Sequence, residues 1–402
     1  MTMTWPVRIF ARGDVAAASL LWSQRGAWWL TLVAKAHAQI VPDGELRLGS
    51  ARPLLSDEAY EPAGTSPIAP AEIVPATGPA EITVHGYAYG HGGTEGRLRL
   101  AVQRPDDGET LIDKRIRVVS QDSAGVPRPF DKLRVGYEAT YGGLGFDDNP
   151  IGMGHDGRRQ PLLQPDGGAL RPVSFGPVPA VFPQRKRLRG SLAREGLKSP
   201  VLVLPDDFDL AYFQTAPSDQ RADRLAGDEQ LLLEGMRAER APLRLRLPGL
   251  RAVARIFAAP SRVVALPLDL RLVHLDTVRD HAALVWRAQL SAVQLGVDLP
   301  DAAASLTAAV QLVRGAQEPS WPGPPHDVAA LERWGSEAMR HEPGAGDDGV
   351  ITLKGEAKAA AFGEGTVVMS PHDGLEGTSA GVAQAQPEAS PAVAGGLTHG
   401  KR

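Results

Sequence analysis

The stretch Trp28-Trp-Leu-Thr-Leu-Val-Ala-Lys-Ala-His-Ala-Gln-Ile40 decides the fold class, because apolar side chains recur at every second position. The even positions are all apolar, whereas the odd positions include Lys35, His37 and Gln39. A period of two is the repeat of a β-strand, whose successive side chains point to opposite faces. The pattern predicts a strand with one face on a core and the other toward water or a second layer.

The same alternation recurs in later segments of the chain. Immediately after the opening strand, Pro42-Asp-Gly44 predicts a turn and Glu45–Leu48 the second strand of a hairpin. The further alternating segments are Glu81–Val84, Arg97–Val102, Leu111–Val119, Leu243–Leu247, Val253–Phe257, Leu270–Thr277 and Ala282–Leu290. Val278-Arg-Asp280 separates the last two, which predicts another hairpin. The sequence thus predicts a mainly β protein with antiparallel sheets, sandwich- or barrel-like, a few short helices and long Gly/Pro-rich loops.

Helices are predicted at Asp219–Arg224, Asp228–Arg237, Asp301–Val313 and Asp327–Arg340. The last two open with an aspartate suited to capping a helix. We therefore predict a β-rich domain over 1–300, a helical extension over 301–341 and a low-complexity tail over 342–402. The β-rich domain can divide into sub-domains 1–125 and 200–300, bridged by a loop-rich segment. The tail is expected to be disordered, because only two short apolar runs interrupt its glycines.

Composition excludes several function classes. Of 402 residues, 43% are hydrophobic, enough to bury a core, while 44 glycines and 34 prolines argue against a helical bundle. A net charge of −4 provides no basic field for a nucleic-acid partner. The chain has no cysteine, which excludes disulfides, iron–sulfur clusters and thiolate zinc sites.

The sequence predicts a cytoplasmic protein with no membrane partner. No apolar run reaches the ~20 residues that cross a bilayer. The short apolar run Val15–Trp22 follows charged residues directly and lacks a clean cleavage site after it, so we read no signal peptide.

Chemical motifs are sparse. Gly377-Thr-Ser-Ala-Gly381 matches the nucleophile-elbow string, but it lies in the tail without a strand before it or a helix after it. The residues that could hold a cation are His274, Asp276, Asp280 and His281 in one group, and Asp206, Asp207 and Asp209 in another. The alternative interpretation of the first group is the polar edge of a hairpin. The alternative interpretation of the second group is a loop in which Phe208 and Phe213 are buried and the carboxylates accept hydrogen bonds from backbone amides. We expect no catalytic residue, metal or cofactor. The alternative function is a hydrolase or metal-dependent enzyme that uses His274 and Asp276 together with the Asp206–Asp209 cluster.

Several ordered blocks over about residues 5–295 resemble a bacterial family catalogued only as a domain of unknown function. The residues that carry the resemblance are Trp28, Lys35, Tyr141, Gly142, Gly143, Asn149, Pro150, Gly152, Phe175, Gly176, Asp207, Phe208, Asp209, Pro217, Asp219, Gln220, Asp228, Glu229, Asp276, Thr277, Trp286 and Arg287. One departure is Phe182, which stands where the family pattern leads us to expect a tryptophan.

Members of that family occur alongside type VI secretion spike and toxin components. The resemblance implies an effector adaptor or chaperone, a protein that holds a toxin effector and promotes its loading on a VgrG/PAAR-type spike. It implies no catalytic residues, so the matching residues are expected to be structural or to bind a partner. A rigid β scaffold with long loops suits such protein recognition.

Overall fold

The computed structural model describes residues 3–4, 7–61, 64–259, 262–321, 328–337 and 366–367. Its strands, in chain order, are β1 Met3–Thr4, β2 Arg8–Arg12, β3 Val15–Gln24, β4 Ala27–Gln39, β5 Gly44–Glu45, β6 Arg47–Leu48, β7 Ala59–Tyr60, β8 Pro67–Ala69, β9 Ala80–His85, β10 Tyr87–Tyr89, β11 Glu95–Gln103, β12 Thr110–Val119, β13 Lys132–Arg134, β14 Tyr141–Gly142, β15 Met153–Gly154, β16 Leu163–Pro165, β17 Val201–Leu204, β18 Arg221–Ala222, β19 Gln230–Glu234, β20 Leu243–Arg246, β21 Leu250–Ala259, β22 Arg262–Asp276, β23 His281–Ser291, β24 Thr307–Arg314 and β25 Thr366–Val367. The α-helices are α1 Pro183–Arg187, α2 Ala292–Leu295 and α3 Val328–Glu337. Short 3-10 helices cover Tyr137–Ala139, Arg194–Lys198, Leu210–Phe213, Ser218–Gln220 and Ala303–Ser305. Apart from Thr366–Val367, the predicted disordered tail lies outside the described residues.

Two sheets form the body of the fold, which confirms the mainly β prediction. The larger has 11 strands, eight of them in the order β17-β3-β4-β23-β22-β21-β24-β2. Strand β9 pairs in parallel with β22, β18 pairs with β9, and β6 pairs with β4. The smaller sheet has six strands in the order β16-β12-β11-β19-β20-β5.

The opening strand pairs with the strand before it through a two-residue turn. Gln24 lies opposite Ala27, and the residues between them, Arg25 and Gly26, have φ of 52° and 73°. Two positive φ values in a two-residue loop match the right-handed twist of the flanking strands. The turn therefore fixes the register of β3 on β4.

The alternation within β4 sorts its side chains into two layers, as the sequence predicts. Leu30, Leu32 and Ala34 belong to the main hydrophobic core. That core also contains inward side chains of the smaller sheet, so it lies between the two sheets. The odd face of β4 is covered by a second layer of loops, because Thr31, Lys35 and His37 are buried as well.

Strands from distant parts of the chain pair within both sheets. In the larger sheet β4 pairs with β23, and in the smaller one β11 pairs with β19. The segment after β4 connects the sheets, because β5 pairs with β20 and β6 pairs back onto β4.

Three predicted helices are wrong. Asp219–Arg224 is a 3-10 turn over Ser218–Gln220 followed by β18, and Asp228–Arg237 contains β19. Asp301–Val313 contains β24, which pairs with β2 on one side and β21 on the other. Cross-strand pairing on both sides overrides the helical preference of its alanines. The helix at Asp327–Arg340 is confirmed over Val328–Glu337.

Candidate functional site

The loops over residues 50–79 lie on the odd face of β4 and are held there by a buried ion pair. Lys35 Nζ lies 2.7 Å from Glu72 Oε1, and it donates to the carbonyl of Pro53 at 3.1 Å. Glu72 also accepts from the backbone amide of Leu55 at 2.8 Å. Burial raises the pKa of Glu72, and the charge of Lys35 opposes that shift. The pair therefore attaches the loop to the sheet.

Two further buried charged residues, Arg287 and Glu81, lie on other strands of the same sheet. Arg287 in β23 donates from Nε to the carbonyl of Glu72 at 3.1 Å, and burial lowers its pKa to about 10. Glu81 in β9 accepts from the amide of Ala216 at 2.9 Å, and burial raises its pKa to about 7. Arg221 lies 3.8 Å from the same carboxylate. We call Lys35, Glu72, Glu81 and Arg287 the buried polar layer.

Asp219 and Gln220 are brought to a lysine that points inward from the smaller sheet. Lys114 Nζ in β12 donates to Asp219 Oδ1 at 2.7 Å, to Gln220 Oε1 at 2.8 Å and to the carbonyl of Ser174 at 2.7 Å. Burial lowers the pKa of Lys114 to about 8, against the opposing charge of Asp219. The amide of Gln220 donates in turn to the carbonyls of Ile82 and Phe175. This lysine therefore links the smaller sheet to the covering loops.

The Asp207-Phe208-Asp209 loop has the predicted buried Phe208 and backbone-binding carboxylates, but Phe213 is only half-buried. Phe208 is buried, with its ring 5.4 Å from that of the half-buried Phe213. Asp207 accepts from the amide and the hydroxyl of Ser191, both at 2.9 Å. Asp209 accepts from the amide of Ala211 at 2.8 Å and so caps a 3-10 helix. Asp207 therefore holds the loop to the segment at Ser191, and Asp209 holds the loop's own backbone.

A buried asparagine organises the loop over residues 141–155, which we call the Leu144 loop. Asn149 Nδ2 donates to the carbonyl of Tyr137 at 2.8 Å, to Thr140 Oγ1 at 2.8 Å and to the carbonyl of Tyr141 at 3.1 Å. The surrounding backbone leaves no room for side chains. A Cβ at Gly142 would lie 2.2 Å from the Asn149 carbonyl, and one at Gly152 2.3 Å from Asn149 Nδ2. Gly142 and Gly152 are therefore required by close packing against Asn149.

The tip of this loop exposes an apolar side chain. Leu144 is 98% exposed, although the backbone on either side of it is fixed by hydrogen bonds. The amide of Gly143 donates to the Asn149 carbonyl at 2.8 Å, and that of Phe146 donates to the Gly143 carbonyl at 3.0 Å. The Phe146 ring packs 5.0 Å from that of His155. The molecule thus presents a leucine on a loop of defined shape.

The family-motif residues fall into three groups according to how deeply they are buried. Those that are buried are Lys35, Gly142, Asn149, Phe175, Gly176, Phe208, Gln220, Glu229, Trp286 and Arg287. Those that are half-buried are Trp28, Tyr141, Gly143, Pro150, Gly152, Pro217, Asp228, Asp276 and Thr277. Only Asp207, Asp209 and Asp219 are exposed, and each accepts a hydrogen bond, from Ser191, Ala211 and Lys114 respectively. These residues build the scaffold that carries the exposed loops.

Phe182, the departure from the family pattern, is buried with its ring 5.1 Å from that of Tyr137.

The two predicted cation clusters do not form one site. His274 Nδ1 lies 2.9 Å from Thr83 Oγ1, and burial lowers the pKa of His274 to about 4. Asp276 accepts from the amides of Val278 and Arg279 and so closes the hairpin turn. The aspartates at 206–209 follow β17, which is four strands away from β22 in the sheet. Within the described ranges, no group of three or more His, Asp or Glu side chains could hold a metal ion.

The sequence alone did not identify the partners of the buried charges. It also did not identify Leu144 as an exposed side chain. Glu72 and Glu81 lie far along the chain from the groups that they meet, and no local pattern identifies them. A signal for Leu144 does exist, since a leucine between two glycines in a polar loop has no neighbours with which to form a core.

Comparison with known proteins found a family model that matches most of the chain. Residues 25–287 match the model of the family described as "Uncharacterized protein conserved in bacteria (DUF2169)". No curated protein and no solved structure matches the chain. None of the helices in the described part of the chain has the length and apolarity to cross a membrane.

Proposed function

The chain belongs to DUF2169, a bacterial family of uncharacterized proteins, and from that premise we propose that it is an effector adaptor of a type VI secretion system. In this role it binds a toxin effector in the cytoplasm and promotes its loading on the VgrG/PAAR-type spike. The observation that carries a binding role is Leu144, which is 98% exposed on a loop whose backbone is fixed from within.

The Leu144 loop has the physical properties of a recognition element. Burying a leucine side chain in a partner's apolar pocket contributes about 1.5–3 kcal/mol. Because hydrogen bonds already fix the loop, association costs little additional conformational entropy. Three and four residues after Leu144, Asp147 lies 3.8 Å from Arg187 and Asp148 accepts from Gln184, so the loop is also held to α1.

The assignment to type VI secretion depends on the ordered motif blocks, whose residues build the covering loops. Lys35, Asn149, Phe208 and Gln220 each hold one of these loops in place. A scaffold of this kind supports a binding role.

The test is co-purification from the native bacterium with tagged full-length protein. We expect a toxin effector and spike components to co-purify with the wild type. Leu144→Asp is expected to reduce toxin recovery at least tenfold, since it places a charge in the apolar contact. Val293→Asp is the matched control, because Val293 is 87% exposed on α2, outside the Leu144 loop.

Two results would contradict the proposal in different ways. Absence of toxin and spike components from the wild-type sample would contradict the adaptor function. Equal recovery with Leu144→Asp and Val293→Asp would show that the toxin binds elsewhere.

A further inference from the structure

The outer face of strands β2, β24 and β21 carries an apolar groove. These strands are neighbours at one end of the larger sheet, with β24 in the middle. Phe10 in β2 and Phe257 in β21 lie on either side of Ala309 in β24, and the three form part of a small cluster separate from the main core. Their neighbours Ala308 and Ile256 face the main core instead. Because a small side chain lies between two large ones, the outer face is hollow along β24. We call Phe10, Phe257 and Ala309 the helix groove.

Helix α3 fills the helix groove with two side chains. Leu331 and Trp334 are 1% and 5% exposed and pack in the same cluster as the groove residues. A spacing of three residues places both on one face of a helix. Gly335 follows them, and a Cβ at this position would lie 3.3 Å from the carbonyl oxygen of Ala11. The absence of a side chain at Gly335 therefore lets the helix approach the backbone of β2 closely.

Two half-buried arginines beside the groove contact tryptophan rings. The guanidinium group of Arg12 in β2 lies 5.6 Å from the ring centre of Trp334, and that of Arg255 in β21 lies 4.6 Å from the ring centre of Trp321. The two tryptophan rings are stacked with their centres 6.1 Å apart. A guanidinium group over the face of an indole ring is attracted by the negative charge of that face. The groove therefore favours an aromatic side chain at the position of Trp334.

Helix α3 has little stability of its own. It spans ten residues, whereas isolated helices shorter than about 12–15 residues are marginal in water. Gly335 lowers its helix propensity further. The helix therefore depends on its docking, to which the described part of the helix contributes the buried Leu331 and Trp334. An element held by so few buried side chains opens more readily than the paired strands beneath it, and opening uncovers Phe10 and Phe257.

We propose that the helix groove binds an amphipathic helix of a partner protein, and that α3 is the intramolecular occupant which this helix displaces. The partner helix carries an aliphatic and an aromatic side chain three positions apart, as α3 does. In this mode of recognition the apolar face of a helix enters a hydrophobic groove. A partner helix longer than α3 is more stable by itself, which offsets the advantage that α3 has through its covalent attachment.

The test measures binding of a fluorescent peptide with the sequence of residues 326–340 to full-length protein by anisotropy. In the variant E332P, a proline inside α3 disrupts the helix, whereas both anchors and the groove are unchanged. We expect E332P to bind the peptide at least tenfold more tightly than the wild type does, because α3 no longer fills its groove. E332A is the matched control, since Glu332 is exposed and alanine favours a helix, and it should bind the peptide as the wild type does.

Two further comparisons locate the binding site. A peptide in which Leu331 and Trp334 are replaced by alanine should bind E332P at least tenfold more weakly than the unchanged peptide does. The variant E332P/F10S should bind the unchanged peptide at least tenfold more weakly than E332P does. If its melting temperature is lower than that of E332P, E332P/R12S takes its place and should bind at least threefold more weakly, because it lacks the guanidinium group over the Trp334 ring.

No binding to E332P, equal affinity of the wild type and E332P, or retained binding of the alanine peptide would overturn the proposal. Light scattering tests a second copy of the chain as the occupant. A wild-type dimer that dissociates in E332P would show that α3 is exchanged between copies, and would also overturn the proposal. Because the assay needs neither toxin nor spike, its outcome is separate from that of the co-purification.

Discussion

At the scale of the residue, Asn149 connects the parts of the Leu144 loop. Its side-chain amide donates to oxygens of Tyr137, Thr140 and Tyr141, and its backbone carbonyl accepts from the amide of Gly143. Because the side chain is fully buried, water cannot replace these bonds when it is removed. One side chain therefore maintains the shape in which Leu144 is presented.

We predict that Asn149→Ala lowers the free energy of unfolding by about 2–3 kcal/mol, since it removes three hydrogen bonds at a buried site. Urea titration followed by tryptophan fluorescence measures the change. Leu144→Ala is the control, because Leu144 is 98% exposed on the same loop. If the two variants unfold at the same urea concentration, Asn149 does not stabilise the loop.

At the scale of the element, the central strands are buried on both faces, and this places titratable groups where water does not reach. His274 in β22 lies under the covering loops, and burial lowers its pKa from 6.5 to about 4 against the opposing charge of Asp276. Lys35 and His85 also lie near enough to disfavour its protonation. The folded protein therefore binds this proton more weakly than the unfolded chain does.

The sign of the resulting pH dependence follows from linkage. Between about pH 6.5 and pH 4 the unfolded chain protonates this histidine while the folded protein does not, so acidification destabilises the fold by up to about 3 kcal/mol. We predict that His274→Asn removes this contribution, so that the variant loses less stability than the wild type over that window. Urea titrations at the two ends of the window measure the difference. His91→Asn, at an exposed position, should follow the wild type; the same acid response in His274→Asn would contradict the prediction.

At the scale of the whole molecule, the adaptor proposal requires a fold that does not depend on a metal. Buried ion pairs and aromatic side chains hold the covering loops. The alternative of a metal-dependent enzyme needs the groups at His274, Asp276 and Asp206–Asp209 for binding an ion.

We predict that a chelator leaves both the melting temperature and the recovery of toxin unchanged in full-length protein. Differential scanning fluorimetry with and without the chelator measures the first, and the co-purification measures the second. A lower melting temperature, restored by added divalent cation, would favour the enzyme alternative.

The sequence by itself determined the elements whose signal is local. A period of two requires only neighbouring residues, so β4, β11 and β12 are predictable, and so is the β22–β23 hairpin with its turn. The cap at Asp209 is predictable for the same reason, because this carboxylate accepts from the amide of Ala211, two residues along the chain, whereas the partner of Asp207, Ser191, lies 16 residues away.

Only the tertiary structure decided what covers those strands and which charges meet. Lys35 meets Glu72 and Lys114 meets Asp219 because the loops fold back over the sheets, and no short pattern encodes a contact across 37 or 105 residues. For the same reason β24 is a strand, since pairing with β2 and β21 outweighs the local preference of its alanines. The outward arginines of β11, β12 and β20 also depend on tertiary structure, because only sheet pairing brings their side chains to one surface.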